Sequence, residues 1–275
     1  MGKKIFFIDA TKCVACYACH IACKDEFVDH SWLPYSEAQP DHGPSFISIN
    51  EVERGQFPKV KICYVPQPCM QCENAQCLKV AKDGAVYKRE DGIIIIDPIK
   101  SKGQNQILRA CPYNCIILNE ELGIPQKCTL CVHLLEQGNK EPRCVEVCPT
   151  RALMYDDVDK FEDLVKDAEK LHPRYKTNPS VFYLGIPKTF VAGSIYCSET
   201  GDCLEGVDVY LTDKANMVSI HTSTNNYGDF EFEDIEKGPI FLLKIEADGY
   251  YSVNIDNIMV DKDIYLKEIY LQKVM

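Results

Sequence analysis

The sequence lacks three features that identify membrane proteins, nucleic-acid-binding proteins and many enzymes. Its longest apolar runs, such as residues 93–96, are far shorter than the ~20 residues that cross a bilayer. Basic residues are not in excess, since 30 Lys and Arg stand against 41 Asp and Glu, and a net charge of −11 disfavours nucleic acid as a ligand. No nucleophile is paired with a base at a recognisable spacing, so the sequence predicts no active site in this chain.

Cysteine is the residue that the sequence has in excess. Of 16 cysteines, 14 lie in the first 148 residues. No apolar segment followed by a small-residue cleavage site precedes Cys13, and we therefore expect a cytoplasmic chain. In a reducing compartment, dense cysteine indicates metal ligands rather than disulfides.

The chain changes character near Pro187. Residues 189–275 carry 16 acidic and 6 basic residues, a net charge of −10, whereas residues 1–188 carry 25 and 24, a net charge of −1. This shift in charge and cysteine content predicts two domains, 1–188 and 189–275. Alternating apolar residues in the second domain predict an all-β sandwich or small barrel.

Local patterns predict individual elements. We expect a strand over 4–9, a hairpin over 85–97 that turns at Asp91-Gly92, and a helix over 157–171. In the second domain the predicted strands are 189–195, 207–212, 217–224, 229–233, 240–247 and 264–271.

The strongest pattern is Cys13-x2-Cys16-x2-Cys19-x3-Cys23. At this spacing three thiolates wrap a loop around one iron–sulfur cubane. The fourth thiolate lies on the following helix and points toward a second cluster. A disulfide or zinc scaffold is the alternative interpretation.

A second group reads Cys128-x2-Cys131-x12-Cys144-x3-Cys148, followed by proline. By itself this group would suffice for a tetrahedral zinc ion. Beside the first group it indicates the other half of a two-cluster ferredoxin, in which fourth ligands are exchanged. The exchange predicts two clusters with the ligand sets Cys13, Cys16, Cys19, Cys148 and Cys23, Cys128, Cys131, Cys144.

A third group combines Cys69-x2-Cys72-x4-Cys77 with the distant Cys111-Pro112. These four cysteines predict a third [4Fe–4S] site. Cys115 is an alternative to Cys111 as the fourth ligand.

An internal repeat points to a fourth site that has lost its ligands. Residues 101–112 reproduce the spacing of the first cysteine run, and residues 81–87 parallel 148–155. The four places that would hold cysteines are all occupied by other residues, namely Ala81, Ser101, Gln104 and Ile107. Because all four absences fall on one site, they indicate a lost cluster rather than random loss.

With these motifs, residues 1–190 resemble the iron–sulfur subunits of the dimethyl sulfoxide reductase-type molybdopterin oxidoreductases. The resemblance rests on residues 13–23, 69–85, 97–113 and 128–152. It implies an α+β fold, in which a duplicated bacterial ferredoxin-like 4Fe–4S domain precedes the β domain. It also implies that the cluster on Cys13, Cys16, Cys19 and Cys148 lies nearest the catalytic subunit. Residues 191–250 resemble carboxypeptidase-regulatory or Cna-B-like β domains.

Three complete sites, a lost fourth and an acidic β domain are together most similar to the small subunits of trihydroxybenzene transhydroxylases. The resemblance implies a non-catalytic iron–sulfur subunit with three [4Fe–4S] clusters in an anaerobic enzyme. It implies a large partner subunit that holds molybdopterin guanine dinucleotide with molybdenum or tungsten, and a soluble electron carrier is a further candidate partner. The alternatives are a structural subunit with redox-idle clusters, the electron-transfer subunit of another molybdenum or tungsten enzyme, and a zinc-scaffold binding module.

Overall fold

The computed structural model describes residues 4–274. These residues form two compact units. The first comprises residues 4–51 and Cys63–Ile186, and the second comprises Val52–Ile62 and residues 187–274. The distal part of one hairpin, Val52–Ile62, thus belongs to the same unit as the C-terminal β region.

Helices in the described residues are short and lie in the first unit. The longest is α1, which carries Cys19 and Cys23 one turn apart. The α-helices are α1 (Ala18–Phe27), α2 (Gln76–Val80), α3 (Asn105–Arg109), α4 (Val132–Glu136), α5 (Arg143–Glu146) and α6 (Glu162–Lys166).

Strands dominate the second unit and form small sheets in the first. The strands are β1 (Lys4–Asp9), β2 (Ser48–Gln56), β3 (Lys59–Gln67), β4 (Val86–Lys88), β5 (Ile94–Ile96), β6 (Ile117–Asn119), β7 (Ile124–Gln126), β8 (Leu153–Asp157), β9 (Val181–Leu184), β10 (Thr189–Cys197), β11 (Asp208–Asp213), β12 (Ser219–Ser223), β13 (Asp229–Ile235), β14 (Ile240–Glu246), β15 (Val253–Met259) and β16 (Ile264–Leu271).

In the first unit, β1 is the central strand of a three-stranded sheet with the order β8-β1-β9. It pairs antiparallel with β8 and parallel with β9. Ile5 and Phe7 on one face are both buried, and the Phe7 ring stacks on Phe161. The apolar sequence of β1 therefore matches a strand that is covered on both sides.

The sequence predicts the β4–β5 hairpin correctly. The two strands pair antiparallel, with Val86 opposite Ile96. Gly92 in the connection has φ +86°, a conformation that glycine adopts without steric cost. The hairpin packs its isoleucines against Ile107 in a small apolar cluster.

The helix predicted over 157–171 is wrong in its length. Residues Val158–Phe161 form a 3₁₀ turn, and only α6 continues as α-helix. Beyond it, Glu169 and Tyr183 exchange two backbone hydrogen bonds of 2.8 Å. Pairing with the end of β9 holds Glu169 extended, so the tertiary structure overrides the helical periodicity there.

The second unit is an open sandwich of two sheets. Their strand orders are β13-β10-β16 and β12-β11-β14-β15. No closed barrel forms within the described residues, so of the two predicted architectures the small barrel is wrong. One apolar core joins both sheets, and its most deeply buried members are Val191, Ile195, Val209, Leu211, Leu243, Ile245, Val260 and Leu271.

Strand β15 is missing from the sequence prediction. It contains Asn254, Asp256 and Asn257, residue types that are depleted in strands. β15 nevertheless pairs antiparallel with β14 at the sheet edge, and Ile258 reaches the core. Pairing and one buried side chain decide its conformation, and neither is visible in local composition.

The hairpin segment Val52–Ile62 is fixed to the C-terminal strands by charge. Lys61 hydrogen-bonds to both Glu231 and Glu233, and Lys59 lies 3.3 Å from Glu231. Gly55 has φ +84°, and a Cβ atom there would collide with the carbonyl oxygen of Lys59. A glycine is therefore required at this bend.

No helix in residues 4–274 has the length and hydrophobicity needed to cross a membrane.

Truncating the core of the sandwich should destabilise the second unit. Leu243 is fully buried between β11 and β15, and Leu243→Ala should lower the free energy of opening of β14 by about 2–5 kcal/mol, because it leaves a cavity. Hydrogen exchange of the β14 amides, followed by mass spectrometry on the full chain, measures this. Lys244→Ala is the matched control, since Lys244 points outward and only pairs with Glu246. Equal effects of the two changes would contradict the core assignment.

Candidate metal centres

The first cysteine loop begins directly after β1 and ends in helix α1. Ala15 and Tyr17 within it have φ values of 50° and 59°. These left-handed residues turn the backbone between Cys13 and Cys19, which lies in the first turn of α1. Cys19 and Cys23 are both buried on α1.

Three loops share one backbone device. The residue two positions after the leading cysteine has positive φ in each: Ala15 at 50°, Gln71 at 46° and Leu130 at 55°. In two of these loops the amide at this position hydrogen-bonds to the leading sulfur. Burial raises the pKa of Cys13 and the Ala15 amide opposes that rise, while Leu130 N lies 3.3 Å from the Cys128 sulfur. N–H donors aimed at sulfur stabilise thiolate, the form of cysteine that binds metal.

The N-terminal loop meets the segment after α5. Burial, followed by the charges of Cys13 and Cys148, raises the pKa of Cys19 to about 12. Burial and the charges of Cys148 and Cys16 raise the pKa of Cys13. The three thiols of the N-terminal loop and the distant Cys148 are therefore close enough to repel one another as thiolates. We call this set group A: Cys13, Cys16, Cys19 and Cys148.

A second set is the most deeply buried. Burial, followed by the charges of Cys23 and Cys128, raises the pKa of Cys131 well above its usual value. The pKa of Cys144 is also raised, first by burial and then by the charges of the other three cysteines. We call this set group B: Cys23, Cys128, Cys131 and Cys144. All four of its members are buried.

A third set lies around the inserted segment. Burial and then the charge of Cys69 raise the pKa of Cys72 to about 12, with further contributions from Cys111 and Cys77. Burial also raises the pKa of Cys77 to about 11, and Cys69 and Cys111 add to it. We call this set group C: Cys69, Cys72, Cys77 and Cys111.

Cys111 and Cys115 have different roles within group C. A hydrogen bond from the Cys115 thiol lowers the pKa of Cys111 and raises that of Cys115. The Cys115 sulfur also lies 3.2 Å from the carbonyl oxygen of Pro68. Cys111 is thus the member that favours thiolate, and Cys115 is a protonated neighbour that donates to it.

The groups follow one another in a row. The charge of Cys19 in group A contributes to the raised pKa of Cys144 in group B. The charge of Cys69 in group C contributes to the raised pKa of Cys128 in group B. Group B therefore neighbours both of the others, consistent with its deeper burial.

The donor sets fit iron–sulfur clusters. No three His, Cys, Asp or Glu side chains within residues 4–274 converge as ligands of one metal ion do. In a cubane, by contrast, each thiolate binds a different iron atom, so the sulfurs surround a larger group. Cationic iron would offset the mutual repulsion that raises these pKa values. The zinc alternative requires Cys148 beside Cys128, Cys131 and Cys144, whereas the charge of Cys148 acts on Cys13 and Cys19.

Side chains and backbone fill the position at which the sequence predicts a lost fourth site. Ser101 and Ile107 are fully buried. Gln104 accepts a hydrogen bond from the Lys82 amide at 2.9 Å and donates to the carbonyl oxygens of Lys82 and Lys100 at 3.2 and 2.9 Å. The glutamine ties together the segments that cysteines would hold in an intact site.

Three cysteines besides Cys115 are not assigned to a group. Cys63 lies on β3 as a free thiol. Cys197 and Cys203 are also free, and Cys203 pairs in register with Tyr196 rather than with Cys197. Because neighbouring strand residues point to opposite faces, this register directs the two thiols apart and disfavours a disulfide.

One part of the site is absent from the sequence analysis. Burial raises the pKa of Cys23, but hydrogen bonds from the backbone amides of Phe46 and Ile47 oppose that shift. These donors come from an irregular segment before β2. No spacing rule relates them to the cysteine run, so only the folded chain reveals them.

Comparison with known proteins agrees with this chemistry. The sequence profile of the 4Fe-4S dicluster domain matches residues 60–158. Pyrogallol hydroxytransferase small subunit of Pelobacter acidigallici is 38% identical over 275 residues, which cover 95% of this chain and 96% of the relative. A tetrathionate reductase subunit of Salmonella typhimurium is 32% identical and covers 67% of this chain and 73% of the relative. A component of the anaerobic dimethyl sulfoxide reductase of Escherichia coli is 34% identical over 61% of this chain and 80% of the relative.

This protein belongs to the family of iron–sulfur subunits of dimethyl sulfoxide reductase-type molybdenum enzymes. The resemblance to dimethyl sulfoxide reductase-type subunits, predicted from cysteine spacing, is confirmed. So is the closer resemblance to the small subunit of pyrogallol–phloroglucinol transhydroxylase, because the relative of that type aligns through the C-terminal β region as well. Other members of the family align over a smaller share of this chain.

Removing the Gln104 hydrogen bonds should loosen the vacated fourth site. Gln104→Ala deletes the acceptor of the Lys82 amide, and exchange of that amide should rise about tenfold, since a hydrogen bond contributes about 1 kcal/mol and two further bonds are lost. Hydrogen exchange of the peptide containing Lys82 measures the change. Lys102→Ala, at an exposed position in the same segment, is the control. Unchanged exchange in Gln104→Ala would show that packing alone holds the segment.

Proposed function

We propose that this chain is a non-catalytic subunit that holds three [4Fe–4S] clusters, one on each of groups A, B and C. The observation that carries the proposal is that cysteines from separate stretches of the sequence lie close together in three places, each beside a loop with a left-handed residue two positions after its first cysteine. Each set joins cysteines from separate stretches of sequence, which a chance arrangement would not do three times. When bound, the clusters supply one-electron transfer.

The first unit supports a duplicated ferredoxin origin. β1 leads into the group A loop and pairs with β8, which follows Cys148. The inserted half has its own cysteine loop, the β4–β5 hairpin and α3. Asn114 and Arg151, each three residues after a Cys-Pro pair begins, both have φ 55°. The two halves thus share loop conformation as well as spacing.

The residues of the chain position the groups and set their electrostatics. Backbone amides point at the sulfurs of Cys13, Cys23 and Cys128, and the Cys115 thiol acts on Cys111. Donors to sulfur favour the more negative state of a cluster and so raise its potential. With group B between A and C, the order of the groups suits electron passage along a row.

The family supports a large catalytic partner. We propose that this partner holds molybdopterin guanine dinucleotide with molybdenum or tungsten and moves a hydroxyl group between trihydroxybenzenes. The substrate class rests on the relative named for pyrogallol, which matches nearly the whole chain. Group A, with its exposed Cys16, is the group we propose to face this partner. The many free thiols favour the cytoplasm as the compartment.

A structural role for idle clusters is the rival interpretation, since transhydroxylation involves no net electron flow. The neighbouring positions of the groups favour electron transfer, because clusters that only stabilise the fold need not lie close to one another. Potentials outside the range that the partner metal reaches would favour the rival.

Metal analysis tests the proposal directly. The complex, purified without oxygen from its host, should contain about 12 iron and as much acid-labile sulfide per copy of this chain, after subtraction of iron in the partner. Molybdenum or tungsten should co-purify with a large chain. About 16 iron would mean that the fourth position still holds a cluster. Zinc without sulfide would overturn the proposal.

The fourth ligand of group C can be tested with a matched pair of variants. Cys111→Ala should lose about four iron, because it removes a thiolate from the set. Cys115→Ala should keep all of the iron, because it removes only a hydrogen-bond donor. Electron paramagnetic resonance of the reduced complex should show one cluster missing in the first variant and none in the second. The reverse pattern would make Cys115 the ligand.

A further inference from the structure

A lysine is buried beside two of the cysteine groups. Lys127 immediately precedes Cys128, and only 3% of its surface is exposed. Its ammonium group donates to the carbonyl oxygens of Ile94 and Cys128, the latter at 3.0 Å. Lysine is among the residues least often buried, because desolvation of its charge is costly. Its placement therefore calls for a compensating interaction.

The loops of groups B and C meet at this ammonium, because Lys127 and Gln71 of the group C loop both donate to the carbonyl oxygen of Cys128 in group B, each at 3.0 Å. The charge of Lys127 lowers the pKa of Cys77 and Cys111 in group C and that of Cys128 in group B, against the raising effect of burial on Cys77 and Cys128. In group A, the charges that act on Cys13 and Cys19 come from other cysteines of the same group. The positive charge thus acts on two groups out of three.

A second buried residue holds the lysine in place. Gln71 is 2% exposed, accepts a hydrogen bond from Ile94 N at 2.9 Å and donates to the carbonyl oxygen of Cys128 at 3.0 Å. Gln71 also lies inside the group C loop, next to Cys72. Gln71 and Lys127 therefore share Ile94 and the carbonyl of Cys128 as partners, which fixes the ammonium between the two groups.

A purely structural role does not require a lysine here. A neutral donor such as the Gln71 side chain already serves the same carbonyl of Cys128 without the cost of burying a charge. What a lysine adds is a fixed positive charge in surroundings of low polarity, where charges interact strongly. Reduction adds a negative charge to a cluster, so a nearby cation favours the reduced state.

We propose that Lys127 is a positioning residue for electron transfer that raises the reduction potentials of the clusters on groups B and C relative to the cluster on group A. This inference rests on the proposed function, since it requires clusters on all three groups. Electrons would then move from the cluster on group A toward the clusters on groups B and C.

The test is a redox titration of the intact complex, followed by electron paramagnetic resonance. Lys127→Met removes the charge but keeps a long apolar stem, and Lys127→Gln also keeps a hydrogen-bond donor. In both variants we expect two of the three clusters to need a lower potential for half reduction. The ratio of reduced to oxidised cluster should fall at least about tenfold at fixed potential, or 59 mV for a one-electron couple. Lys127→Arg should retain most of the wild-type potential.

The control is Lys160→Met, which removes an exposed lysine paired with Asp156. It should leave all three potentials unchanged. Iron and sulfide are measured in every variant, so that a shift is read only from a complete set of clusters. Wild-type complex without three clusters would refute the proposed function itself rather than the role of Lys127.

Three results would overturn the inference. The first is unchanged potentials in Lys127→Met with all iron retained. The second is a wild-type potential in Lys127→Gln together with a shift in Lys127→Met, which would mean that the hydrogen bonds matter and the charge does not. The third is failure of both variants to assemble clusters, which would make Lys127 a residue for assembly instead of tuning.

Discussion

Repulsion between buried thiolates is the constraint on which the first unit depends. Burial and neighbouring cysteine charges raise the pKa of Cys19, Cys72 and Cys131, so the bare sets resist the charged state that metal binding requires. Iron supplies the positive charge that makes the sets stable, which couples cluster binding to folding. The short helices and small hairpins of this unit contribute modest cores of their own, so much of its integrity falls to the clusters that we propose.

Local hydrogen-bond donors and one buried cation also offset the repulsion between the thiolates. Backbone amide groups point at the sulfurs of Cys13, Cys23 and Cys128. Lys127 adds a full charge where groups B and C adjoin. These interactions differ from group to group, and such differences give chemically identical clusters distinct potentials.

Hydrogen bonds and packing hold the chain around Gln104, where the sequence predicts a lost cluster. Gln104 spans the segments around Lys82 and Lys100, and Ile107 fills the apolar interior. These hydrogen bonds and this packing would join the segments that the proposed clusters join elsewhere.

The sequence alone indicated iron–sulfur chemistry, because the spacing of the cysteine ligands of a cubane is a local feature of the chain. The runs around Cys13, Cys69 and Cys128, the hairpin at Gly92 and the β character of the C-terminal region are all legible in this way. Tertiary structure decided what depends on distant partners: the pairing of β15, the shortened helix before Glu169, and the transfer of Val52–Ile62 to the second unit. It also decided the surroundings of the cysteines, since the donors near Cys23 and the burial of Lys127 arise from segments that no periodicity connects. Covalent geometry constrains neighbours along the chain, whereas charge and burial act through space.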